Sequence, residues 1–221
     1  MASPRKVPGL GVRLLLIRHG ETAYNAEQLA LGQADIPLTE RGLGQARALA
    51  DAVPHTPSLS PISAIYSSPL QRAVATATPL AEELGLTVQT EAGLIEMDIG
   101  EMEGHPFAQV RERYPDFLRD WFSDRLADVP MPGGETLRQV QDRAWSAIET
   151  MRDRHPEETV AAVAHNFVIL GLLCRTMGLP LAQFRRFRHD LAAISIVELT
   201  PERQVLLALN DRCHLQAADL S

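Results

Sequence analysis

The chain has 221 residues, 45% of them hydrophobic and 22% charged, proportions that exclude a disordered polypeptide and allow a sizeable core. Its formal net charge of −7 excludes a general affinity for nucleic acid or anionic lipid, so a bound anion must be held by a local site. The two cysteines, Cys174 and Cys213, have neither disulfide-framework nor metal-type spacing, and we expect free thiols in a reducing cytoplasm.

Residues 1–12, MASPRKVPGLGV, hold two basic residues but no apolar stretch before a small-residue cleavage site, so no leader is expected. No run approaches transmembrane length. The GLG at 9–11 is too small to suggest a dinucleotide fingerprint. Short continuous apolar runs at 12–17, 63–67, 159–165, 193–199 and 204–210 predict strands, the first buried on both faces. Helical patterns fall at about 39–52, 69–84, 135–154 and 166–177. This alternation predicts an α/β three-layer sandwich, a mostly parallel sheet with helices on both faces. The last two strands are joined only by TPER, too short for a parallel crossover, so an antiparallel hairpin is expected at one edge. Residues 105–130, interrupted by Pro106, Pro115 and Pro130, read as a helical lid on one domain spanning 1–221.

Three stretches place reactive side chains just beyond strands, where open α/β sheets collect ligands, and a fourth carries one in an acidic loop. The first strand runs into Arg18 and His19, and Gly20 removes a Cβ where backbone N–H groups could approach an anion. In YSSPLQRA, 66–73, Ser68 reads as an N-cap with Pro69 at N1 and Gln71 at N3, which sets Arg72 in a first helical turn. AVAHNFVI, 162–169, brings His165 to the end of another central strand, and Glu96 stands among apolar residues in GLIEMDIGEMEG, 93–104. Each alone is as readily a solvated loop, a packed histidine or a surface arginine. Together they converge on one sheet edge.

The motifs RHGETAYN, GQADIPLTERG, YSSPLQRA, EMDIGEMEG and AHNFVI, in that order between about Leu14 and His214, resemble the histidine phosphatase superfamily, the phosphoglycerate mutase-like group. The resemblance implies His19 as nucleophile and Arg18, Arg72 and His165 around the phosphoryl oxygens. It implies Glu96 as the acid that protonates the leaving oxygen, with Thr22, Asn25 and Gln33 completing the phosphate pocket. Neighbouring guanidinium groups are expected to keep His19 unprotonated, and partial desolvation beside a phosphate to raise the Glu96 pKa. No metal or cofactor is implied, and no HExxH, EF-hand or Walker A pattern occurs.

Mutases of the group carry a longer segment than the one from Glu96 to His165, which favours a phosphatase of small phosphate monoesters. IEMDIG and LNDRCHL are similar to the metal-independent phosphoserine phosphatases, and His214 matches a histidine near the C-terminus there, which reads either as a contact to a substrate's polar end or as an ordinary tail histidine. Ile99 stands where that subgroup often has histidine, and Asn166 where most of the superfamily has glycine, a turn that asparagine tolerates. Asp98, Glu101 and Glu103 could meet a substrate amino group, while Arg185, Arg186 and Arg188 read as a solvated basic face. The partner implied is a small phosphorylated metabolite, without nucleic acid or membrane and with a homodimer allowed. The alternatives are a phosphoglycerate mutase and a non-catalytic phospho-ligand module, the latter having no need of a leaving-group acid.

Overall fold

The structure, a computed structural model, describes residues 11–57, 59 and 61–217. The amino-terminal stretch considered for a leader, residues 1–10, lies outside these, as does most of the GLG at 9–11. Six strands form one sheet: β1 (Val12–Arg18), β2 (Ala64–Ser67), β3 (Val88–Thr90), β4 (Thr159–Ala164), β5 (Ile194–Leu199) and β6 (Gln204–Asp211). Their spatial order is β3-β2-β4-β1-β5-β6. The first four in that order run parallel, β5 is antiparallel to β1, and β6 is antiparallel to β5. The predicted mostly parallel sheet and terminal hairpin are thus both present. β3 was not anticipated, because three residues with largely exposed side chains leave no periodic signal.

The helices are α1 (Ala23–Ala26), α2 (Glu40–Ala52), α3 (Gln71–Leu84), α4 (Phe107–Arg113), α5 (Pro115–Trp121), α6 (Leu137–Arg154), α7 (Asn166–Thr176) and α8 (Cys213–Ala217). β1 shows why the sheet is covered on both sides. Leu15 and Ile17 pack with α2 and α3, whereas Leu14 and Leu16 point into the core shared with α6 and α7. Successive side chains alternate faces, so a strand apolar at every position must be sandwiched. Each fully buried leucine or isoleucine contributes ~1.5–3 kcal/mol, and all four of these are at most 1% exposed. β4 is equally buried but carries Ala161, Ala162 and Ala164, whose small side chains let both helical layers approach the sheet centre.

Helix starts follow their caps. Thr39 accepts from the Gly42 N–H ahead of α2, and Thr136 with Gln139 forms a reciprocal capping box ahead of α6. α3 departs from the expectation. It begins at Gln71, two residues later than predicted, and Ser68 does not cap it. Ser68 Oγ instead lies 2.7 Å from His165 Nε2, and the Gln71 N–H donates to Asp35 Oδ1 at 2.7 Å. The cap comes from a loop 36 residues away, which no local pattern could reveal. Between residues 105 and 130 lie α4, α5 and a 3₁₀ turn at Leu126–Asp128, with Val110, Trp121 and Leu126 packed into the core on the α6–α7 side.

Candidate active site

β1 and β4 are paired so that Arg18 lies opposite Ala164. The next residue on each strand is a histidine, and the register therefore brings His19 and His165 together, with ring centroids 5.1 Å apart. Ser67 of β2 lies opposite Val163 of β4, which sets Ser68 beside the same histidine. Three parallel strands thus deliver His19, Ser68 and His165 to one edge, all essentially without solvent exposure.

His19 Nδ1 lies 2.7 Å from the Gly20 carbonyl oxygen. A carbonyl only accepts, so this bond puts the ring proton on Nδ1 and leaves the lone pair on Nε2. Burial holds the His19 pKa well below that of an ordinary histidine, with the positive charges of Arg72 and then Arg18 adding to it. The sequence assigned this depression to the guanidinium groups; in the fold, desolvation is the larger cause. His165 is depressed for the same first reason, helped by His19, Arg72 and Arg18. Both rings are neutral at neutral pH.

Gly20 has a different task from the one its sequence suggested. Its N–H donates to Thr76 Oγ1 at 3.0 Å, so it is not turned toward an anion. A Cβ there would come within 2.7 Å of the Gly42 carbonyl oxygen, so glycine is needed for the close crossing of the turn over α2. Thr76 in turn donates to the Arg72 carbonyl, tying the turn to α3.

Arg72 is fully buried, with Nη1 donating to the Ala34 carbonyl at 2.7 Å and Nη2 to the Gly32 carbonyl at 2.6 Å. Arg18 Nη1 donates to the His189 carbonyl at 2.7 Å. Desolvation lowers both guanidinium pKa values, opposed by Glu96, yet arginine stays charged in proteins. The segment that receives Arg72 is itself held by Glu103, whose carboxylate accepts from the N–H groups of Gly32, Gln33 and Ala34. Asp98 and Glu101 are likewise engaged by Gly100 and Tyr114, and none of these three acids lines the cavity described below.

Glu96 is 3% exposed, its oxygens accepting from the N–H groups of Met97 at 2.8 Å and Phe167 at 3.3 Å. Burial raises its pKa against the pull of these bonds and of Arg72 and Arg18. Its main chain is clamped as well. Gln33 Nε2 donates to the Glu96 carbonyl at 2.9 Å, and Arg143 donates to the carbonyls of Gly93, Ile95 and Glu96 while pairing with Glu135.

Thr22 and Asn25 bond to each other across the start of α1, and Asn25 lines the cavity. Asn166 lines it too, as the first residue of α7. Gln33 and His214 do not. Gln33 spends its amide on the Glu96 main chain, and His214 is buried with Nε2 at 3.0 Å from the Ala192 carbonyl. Reading the sequence missed Ser68 as a partner of His165 and missed Thr76 and Arg143 altogether as parts of the site, and it offered Glu103 to a substrate where the fold gives it to the backbone of residues 32–34.

The cavity measures about 750 Å³. Arg18, His19 and Glu96 form its polar wall, with Arg72 and His165 buried against it. Facing residues include Phe107, Phe117, Trp121, Phe122, Phe167 and Phe184. Within the polar wall, Arg18 Nε, Arg72 Nε and His165 Nδ1 are buried without a hydrogen-bond partner among the described residues. Arg18 Nε and Arg72 Nε each carry an N–H without a partner, and with the Ser68 hydroxyl donating to His165 Nε2 the Nδ1 of that ring carries a third, a set that suits an oxyanion. Among the described residues no group of three or more His, Cys, Asp or Glu side chains is placed to hold a metal ion, and no helix is long and apolar enough to cross a membrane.

Residues 14–212 match the family described as the histidine phosphatase superfamily, branch 1. The chain belongs to this superfamily. A relative from Hydrogenobacter thermophilus, phosphoserine phosphatase 1, is 36% identical over 204 residues, covering 92% of this chain and 94% of its own. An acid phosphatase of Mycobacterium tuberculosis is 35% identical, covering 83% and 85%. The solved structure of a mycobacterial glucosyl-3-phosphoglycerate phosphatase superposes with a TM-score of 0.79 at 28% identity, covering 91% of this chain and all of that one. The six-stranded sheet is therefore the fold of a histidine phosphatase, and the chain is a phosphoric monoester hydrolase acting on small phosphate monoesters.

Proposed function

We propose that this histidine phosphatase hydrolyses its ester in two steps through a phosphohistidine on His19. The lone pair of His19 Nε2 attacks phosphorus, the P–O bond to the alcohol breaks, and the leaving oxygen takes the proton of Glu96. Glu96, now a carboxylate, then removes a proton from water as its oxygen attacks phosphorus. The P–N bond breaks, returning neutral His19 and inorganic phosphate. Arg18, Arg72 and His165 hold the three phosphoryl oxygens, with Thr22, Asn25 and Asn166 bordering them and Gln33 acting on Glu96 from behind.

The observation that carries this reading is the trio of unpartnered buried nitrogens around a neutral, tautomer-fixed His19. Phosphoryl transfer is accelerated mainly by positioning and by fixed positive charge, and both are assembled here before any ester arrives. The raised Glu96 pKa keeps available the proton that an alkoxide needs. The same reading takes the chain as one domain with residues 105–130 as its lid. It sets the chain in a cytoplasm that keeps Cys174 and Cys213 reduced. It also allows a homodimer through the edge strand β6, where Leu207 and Leu209 are exposed, and sedimentation would measure that.

The test is rapid quenching with ³²P-labelled ester in the presence of EDTA. An acid-labile, base-stable phosphoprotein should form and decay at the rate of turnover. His19→Ala should lose both label and turnover, by ~10⁴-fold or more, the scale of removing a catalytic nucleophile. Turnover persisting in that variant would overturn the mechanism. Interconversion of phosphoglycerates with little phosphate release would favour the mutase reading instead.

A further inference from the structure

The lining of the cavity includes five phenylalanines and a tryptophan beside its charged groups. Phe117 stacks on Trp121 at 5.6 Å, Trp121 meets Phe167 at 6.2 Å and Phe184 at 6.1 Å, and Phe167 meets Phe184 at 6.0 Å, so these rings make one continuous aromatic surface. Phe107 and Phe122 extend it at 62% and 69% exposure. Leaving two phenyl rings that open at a cavity is unfavourable unless a ligand covers them.

Arg185, placed by the sequence on a solvated face, lines the cavity with its guanidinium 4.5 Å from the Phe122 ring and 4.6 Å from that of Phe184, donating to the Trp121 carbonyl. The other charged residues that line the cavity beside the rings are paired with one another, Arg41 with Glu21 and Arg212 with Asp190. Asp190 is occupied by Arg188, Arg212 and Asn210, and Glu21 by Arg41 and Thr39. The two walls meet at Phe167, whose N–H holds Glu96 while its ring joins the aromatic surface. Glu96 and the aromatic surface thus border the same part of the cavity. A volume of about 750 Å³ lies among those of pockets that enclose drug-sized ligands, ~300–1,000 Å³.

We infer that the substrate is a phosphomonoester of a bulky, uncharged aryl-bearing alcohol, and that the aromatic wall, with Phe122 and Phe107 at its exposed end, selects it. This rests on the hydrolase reading above. The rings offer edge-to-face partners to an incoming arene, and Arg185 turns the buried face of the surface into a cation-backed platform.

The experiment measures kcat/KM for four esters of primary or near-primary alcohols of similar leaving-group reactivity: phosphoserine, glycerol 3-phosphate, 2-phenylethyl phosphate and 2-(1-naphthyl)ethyl phosphate. The two aryl esters should exceed glycerol 3-phosphate, by about tenfold for each ~50 Å² of apolar surface covered, with the naphthyl ester highest. In Phe122→Ala and Phe107→Ala, which alter exposed side chains and leave the core packed, the aryl-to-glycerol ratio should drop several-fold. If phosphoserine or glycerol 3-phosphate is hydrolysed as well as the aryl esters, or the ratio is unmoved in both variants, the inference is overturned and the hydrolase stands. If no ester releases phosphate, the hydrolase reading itself falls and takes this inference with it.

Discussion

The two walls of the cavity are made in opposite ways. The polar wall comes from the ends of β1, β2 and β4 and the first turns of α3 and α7, elements locked by the sheet ladder, together with the Glu96 loop, whose main chain is clamped by Arg143 and Gln33. The aromatic wall comes from α4, α5, the start of α7 and the 3₁₀ turn at Leu181–Arg186, short pieces of which Trp121 and Phe184 root in the core while Phe107 and Phe122 stand exposed. Preorganised charge is worth most when it does not rearrange during reaction, and strand ends provide that rigidity. A surface that covers an apolar group gains from area and shape, which short helices adjust more readily. One wall is suited to a chemistry and the other to a choice of alcohol.

If that division holds, changes on the polar wall should scale with how badly the leaving group needs a proton. Glu96→Gln should slow alkyl phosphates by ~10²–10⁴-fold and an activated aryl phosphate such as p-nitrophenyl phosphate far less, as measured by kcat/KM on both. Equal slowing of the two would remove Glu96 from the acid role. Arg143 offers a milder version. It touches no reacting atom but donates to three carbonyls of the loop that carries Glu96 and pairs with Glu135, whose carboxylate also accepts from the Asp98 N–H. Arg143→Ala should lower alkyl phosphate turnover by about tenfold, the scale of a small misplacement of a catalytic group, again sparing the aryl ester. A merely structural loss would slow both esters alike.

The same division explains what could be seen in the sequence. His19, Arg72 and His165 were legible because the rule that ligands gather past strand ends needs only the strands, and VRLLLI and TVAAVA announce themselves as buried. Glu96 follows a strand with no periodic signal and was legible only through the family motif around it. The placement of the two histidines side by side follows from one register, Arg18 opposite Ala164. What could not be read was every contact made across the chain by an ordinary side chain. Ser68 satisfies the local grammar of an N-cap, yet it bonds a histidine 97 residues away, and the cap of α3 falls to Asp35. Glu103 belongs to an acidic run that looked like a substrate contact, and only the fold shows three backbone N–H groups converging on it. The aromatic wall was hidden for the same reason: Phe107, Trp121, Phe167 and Phe184 have no common spacing and meet only after α4, α5 and α7 pack.

A last prediction separates the walls by pH. His19 and His165 are held neutral with pKa values well below the usual histidine range, and burial, aided by Arg18, holds His189 at about 4. In the unfolded chain each takes up a proton near ~6.5, so below that pH the unfolded state binds more protons and stability falls with acidification. Each such histidine steepens the fall by up to ~1.4 kcal/mol per pH unit until its folded pKa is reached, about 4 for His189. Glu96, with its pKa raised, slopes the other way below its own folded value, one group against these three and His214, which burial also depresses. Melting temperature should therefore drop from pH 7.5 to pH 5, and His165→Gln should flatten that drop by removing one titrating ring. Phe122→Ala, which removes no proton, should shift the curve without changing its slope. If His165→Gln and Phe122→Ala leave the same slope, the buried histidines are not what makes the polar wall acid-sensitive, and the contrast between the walls loses its electrostatic basis.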